Sequence, residues 1–112
     1  MRMLMKVSIP VENGNRSIAD GSLGKTIQSI LDEQKPEAAY FVSENGQRTG
    51  YIVVDMKSSS DLPGMAEPWF LAFNASVETT PAMNLQDLGA SRPGMEAAVR
   101  NYGGRVRGAG AD

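Results

Sequence analysis

Neither cysteine nor histidine occurs anywhere in the 112 residues. Their absence excludes disulfides, thiolate nucleophiles, imidazole acid–base catalysis, His-ligated haem and nearly every zinc site built on those side chains. No apolar run approaches the roughly 18 residues that a membrane-spanning helix requires. The first ten residues interrupt their apolar side chains with Arg2 and Lys6, so they lack the continuous core of a secretory signal, and a cytoplasmic protein is expected. A surplus of either charge is also missing: 11 basic against 13 acidic residues leave a formal net charge of -2. That balance lacks the basic footprint of a polyanion binder, so neither nucleic acid nor an anionic membrane is an expected partner. What remains is a 12.0 kDa chain with 41% hydrophobic residues, enough for one modest core.

The pattern along the chain alternates between strand and helix periods. Met3, Met5, Val7 and Ile9 alternate with Leu4, Lys6 and Ser8, which is the two-residue period of a strand with one apolar face. Alternate methionines on such a strand read as core filling rather than a soft metal site. Asn13-Gly14 reads as a turn, and residues 17–34 place Leu23, Ile27, Ile30 and Leu31 on one side of a helix that Lys35-Pro36 ends. Asn45-Gly46 joins the β-prone runs Ala39-Tyr40-Phe41-Val42 and Tyr51-Ile52-Val53-Val54, the signature of a type I′ hairpin with Tyr40 opposite Tyr51. Ser58-Ser59-Ser60-Asp61 starts a second helix carrying Leu62, Met65, Ala66, Trp69 and Phe70, with a kink expected at Pro68. Strand character returns over 73–80, and a last helix over 84–102 is expected to split at Pro93-Gly94. Residues 1–102 form a single expected domain, and residues 103–112, rich in Gly and Arg, an expected flexible tail.

Strand, helix, strand, strand, helix, strand is the order of an α+β ferredoxin-like βαββαβ fold: a four-stranded antiparallel sheet with its helices on one face. The covered face takes Met3, Met5, Val7, Phe41, Ile52, Val54, Met56, Ala75 and Val77. The opposite face presents Leu4, Lys6, Ser8, Tyr40, Val42, Tyr51, Val53, Asp55, Asn74, Ser76 and Glu78, a mixture too apolar to be an ordinary solvent face. Stacked RNA bases suit sheet aromatics, but Asp55 and Glu78 share this face with only Lys6, which disfavours a polyanion. A second copy of the chain, packing sheet on sheet, is the expected covering.

One motif imitates a nucleotide site. Ala19-Asp20-Gly21-Ser22-Leu23-Gly24-Lys25-Thr26 fits a relaxed phosphate loop, and Tyr51 to Asp55 imitates a strand ending in a magnesium-binding aspartate. The mechanism needs that loop directly after a strand of a parallel sheet, whereas the first strand ends well before Ala19 and Asp55 lies on a hairpin strand. No cofactor and no metal site is therefore expected.

Element order, size and the half-apolar open face together resemble the dimeric α+β barrel superfamily, which includes muconolactone isomerase-like and cofactor-independent monooxygenase-like proteins. The resemblance covers residues 2–90 and implies a homodimer closed through the sheet around a small cavity. Enzymes of that superfamily often use a His, or an Asn/Trp/His set; this chain has Asn74 and Trp69 but no His. The expected function is binding of a small, partly apolar molecule, with Lys6, Tyr40, Tyr51, Asn74 and Trp69 as candidate ligand contacts. The alternatives are a cofactor-independent isomerase or monooxygenase using Glu78, Asp55 and Tyr51, where a carboxylate beside apolar walls would have a raised pKa, and a non-catalytic structural or regulatory module. Packing of Trp69 and cross-sheet pairing of Lys6 with Asp55 or Glu78 are the bland readings of the same residues. Glu67, just before Pro68, is a further carboxylate candidate.

Overall fold

In the computed structural model, which describes residues 1–110 and side chains through residue 105, the chain divides into two compact units, the first Met1–Ala82 and the second starting at Met83. The first unit runs β1 (Arg2–Ile9), α1 (Val11–Ala19), α2 (Leu23–Gln34), β2 (Ala38–Glu44), β3 (Gln47–Asp55), a 3-10 turn (Ser59–Asp61), α3 (Leu62–Phe73) and β4 (Ser76–Pro81). The strands form one antiparallel sheet in the order β2-β3-β1-β4, the ferredoxin-like arrangement. With every pairing antiparallel, Asp55 cannot occupy the parallel-sheet position of a nucleotide site.

The period-two pattern of β1 sorts its side chains as expected. Met3, Met5, Val7 and Ile9 are buried, and their neighbours are half-exposed. Ile52, Val54 and Met56 from β3 and its exit, Ile30 from α2, and Trp69, Phe73 and Ala75 from α3 and its exit complete the core. Trp69 and Phe73, one helical turn apart, stack at 6.2 Å between ring centroids. Each fully buried side chain of this class contributes about 1.5–3 kcal/mol by leaving water. Asn45 and Gly46 both have positive φ, 54° and 74°, as a type I′ turn requires, and Tyr40 pairs with Tyr51.

Four local expectations are corrected. Asn13-Gly14 is not a turn but the middle of α1, and the helix expected over 17–34 is two helices broken at Gly21, whose φ is +80°. Pro68 neither ends nor restarts a helix, since α3 runs through it from Leu62 to Phe73. Phe41 is on the helix-covered face, opposite Gly50, but β2 is an edge strand and the ring stays 52% exposed.

The second unit contains α4 (Leu85–Ala90), started by a reciprocal Asn84/Asp87 capping box, and α5 (Arg92–Gly110). The break falls at Ser91 rather than at Pro93-Gly94, because Pro93 sits in the first turn of α5, where a missing N–H costs nothing. The helical backbone includes Gly103 and Gly104, and the Arg105 guanidinium lies over the Tyr102 ring at 5.4 Å. Residues 111 and 112, part of the expected tail, lie outside the described residues.

Candidate functional site

On the uncovered face, cross-strand registry brings Lys6 beside Tyr51 on β3 and Glu78 on β4. Glu44, at the end of β2, joins them: its carboxylate accepts from the Lys6 ammonium and from the Tyr51 hydroxyl, while Glu78 stands 3.8 Å from Lys6. The hydrogen bond from Lys6, then that from Tyr51, holds the Glu44 carboxyl below the ordinary range. Glu44 in turn raises the Lys6 ammonium and the Tyr51 phenol above theirs. At neutral pH these three groups are therefore carboxylate, ammonium and phenol, each locked further into its ordinary state.

The other open-face candidates do not join this group. Asp55 lies at the far end of β3, paired at 2.9 Å with the N-terminal ammonium, which depresses its carboxyl rather than raising it. Asn74 closes α3 in the left-handed conformation with φ 53°. Tyr40 is on the face and 71% exposed, with Val42 beside it at 45%. Glu67 is exposed on α3. Sequence reasoning missed Glu44, although the signal was there: alternation along β2 puts residue 44 on the same face as Tyr40 and Val42.

Trp69 belongs elsewhere. It is fully buried beneath the sheet and lines a cavity of about 390 Å3 bounded by Val7 and Ile9 of β1, Leu23 and Ile27 of α2, Phe41, Val42 and Ser43 of β2, and Arg48, Thr49 and Gly50 of β3. Two glycines shape its walls. A Cβ at Gly50 would stand 3.0 Å from Cε1 of Phe41, so glycine there lets the ring lie against the strand. A Cβ at Gly14 would overlap the Arg48 guanidinium and stand 3.2 Å from its Cδ, so the bare turn of α1 is a notch that seats Arg48. That tertiary demand, made from a residue far along the chain, explains why a helix-weakening glycine sits in mid-helix. The Arg48 guanidinium donates to the side-chain oxygen of Asn15 at 3.2 Å. The Trp69 indole N–H, fully buried, has no hydrogen-bond partner among the described residues.

Residues 1–95 match a family model described as a domain of unknown function, DUF3303. The chain belongs to the DUF3303 family. The match takes in both faces of the sheet and the whole cavity lining, so the features above are features of a DUF3303 domain. No curated protein matches the chain. Among solved structures, a formyltetrahydrofolate deformylase from Pseudomonas putida KT2440 is similar over 73% of this chain and 29% of its own, at 14% identity and a TM-score of 0.46; the chain thus spans less than a third of that protein's length. Among the described residues, no helix is long and apolar enough to cross a membrane, and no group of three or more acidic, His or Cys side chains could hold a metal ion.

Proposed function

We propose that the protein binds a small, mainly apolar molecule in the cavity between α2 and the β2-β3 edge of the sheet. The observation that carries this is the cavity itself: about 390 Å3, within the usual range for ligand pockets of about 300–1,000 Å3, walled by aliphatic and aromatic side chains around few polar groups. The glycines at 14 and 50 let Arg48 and Phe41, two of the lining side chains, lie close against their neighbours. Trp69, the single tryptophan, supplies the assay. Titration with 4-phenyl-1-butanol, a neutral probe, should shift its emission saturably and move the methyl resonances of Leu23 and Ile27. A linear, unsaturable response, or shifts scattered over the surface, would overturn the reading.

Self-association through the open face is a second reading, favoured by Tyr40 and Val42, which stand exposed on a surface that sheets of this kind cover. It agrees with the two-fold dimers of the α+β barrel superfamily that the sequence resembles. Sedimentation equilibrium should give a dimer at micromolar concentration and a monomer for Tyr40→Glu; a wild-type monomer would refute it. The alternative of an isomerase or monooxygenase using Tyr51, Glu78 and Asp55 has less support. General acid–base work favours a group poised near neutrality, and the shifts of Tyr51 and Asp55 run away from it.

A further inference from the structure

We infer that the ligand of this cavity carries a single anionic group, a carboxylate on an apolar body, received by Arg48. The inference rests on the ligand-binding reading and goes further by naming the chemical class. Its basis is the polar inventory of the lining. Thr49 already donates its hydroxyl to the Gln47 carbonyl at 3.1 Å. Ser43 carries a neutral hydroxyl that can donate or accept, Arg48 can only donate, and among the described residues no acidic side chain lines the cavity.

Arg48 is half-buried, and among the described residues no carboxylate is paired with it; the other cations of this unit either have one, as the N-terminus, Arg2 and Lys6 do, or are exposed, as Arg16, Lys25, Lys35 and Lys57 are. Arg48 is bonded instead to a neutral amide, Asn15, and seated in the Gly14 notch. Holding that seat puts a helix-weakening glycine in the middle of α1. A guanidinium seated in this way, without a counter-charge and lining an apolar cavity, complements a molecule that brings one negative charge on an apolar body. With one cation in the lining, a monoanion fits better than a phosphate-sized charge.

The test compares two probes of equal shape, 4-phenylbutyrate and 4-phenyl-1-butanol, by Trp69 emission on the full chain. A charge-assisted hydrogen bond should favour the acid by about tenfold or more. Arg48→Gln should abolish that preference, bringing the acid and the alcohol to the same affinity, and Gly14→Ala, which displaces the guanidinium, should reduce it. Equal affinity for acid and alcohol in the wild type overturns the inference and leaves the binding reading intact; failure of both probes overturns both. The wild-type comparison needs no variant, so misfolding of Arg48→Gln cannot rescue the proposal. An emission change that follows protein concentration rather than probe would assign the cavity to a second copy and also overturn it.

Discussion

Replacing Trp69 with phenylalanine isolates the unpartnered indole N–H. Phenylalanine buries roughly 50 Å2 less than tryptophan out of the 150–250 Å2 typical of aromatics, a loss of about 1 kcal/mol at about 25 cal/mol per Å2. The void left by the smaller ring, roughly 40 Å3, adds about 1 kcal/mol at about 24 cal/mol per Å3. Against this, the substitution removes a buried donor that has no acceptor, and an orphan of that kind costs about 1–3 kcal/mol. The opposing contributions nearly cancel, so Trp69→Phe should change stability by no more than about 1 kcal/mol, whereas a hydrogen-bonded indole would lose its bond as well and give about 3 kcal/mol. Because the variant has no tryptophan, urea unfolding is followed by circular dichroism. A loss near the larger figure would show that the N–H is satisfied in the folded protein and would refute the reasoning.

Four further outcomes follow from the geometry. Glu44 is held below its ordinary pKa, so the stability it contributes is complete above the normal glutamate range and is lost as pH falls through the lower folded value. The acid limb of a urea-midpoint profile should therefore flatten in Glu44→Gln, and identical limbs would refute the pairing with Lys6 and Tyr51. Lys6 and Tyr51 are raised, so their contributions are present below their ordinary values and fade as pH rises through the elevated ones; in Glu44→Gln, which removes the cause of both shifts, the alkaline limb should flatten as well. Gly46→Ala places a Cβ at φ +74° in the hairpin and should cost about 1 kcal/mol in chemical denaturation, with no loss indicating a different turn. Gly50→Ala should displace the Phe41 ring, seen as changed ring resonances and weaker binding of 4-phenyl-1-butanol, at a cost of about 1–3 kcal/mol.

Much of the fold was legible because its signals are local. The alternation of β1 needs only the contrast between Met3, Met5, Val7 and their neighbours, and Asn45-Gly46 carries its turn type in two residues. Gly14 was illegible for the opposite reason: its neighbour Asn13 suggested a turn, while its role is set by the bulk of Arg48 arriving from β3. Phe41 followed the correct face, but its exposure depends on β2 standing at the margin of the sheet, which the residue pattern does not state. The open-face group was half legible. Lys6, Tyr51 and Glu78 share one row across three strands, whereas the contact with Glu44 depends on two long side chains leaning along the sheet. The cavity was not legible, since an empty space has no residue of its own. Trp69 was its one trace, and tryptophan on an amphipathic helix usually just fills a core.

The outermost position of β2 has a consequence for handling the protein. Its stretch Ala38-Ala39-Tyr40-Phe41-Val42-Ser43 holds no charge and no proline, exposes Tyr40, Phe41 and Val42, and leaves one row of backbone N–H and C=O groups without a neighbouring strand. Such a row is a template for adding further chains, and a short uncharged β-prone segment is what cross-β fibres recruit. Pro36, Glu37 and Glu44 bracket it as gatekeepers. Concentrated stocks should therefore seed fibres here first, and Tyr40→Lys, on the exposed face of the strand, is the simplest safeguard.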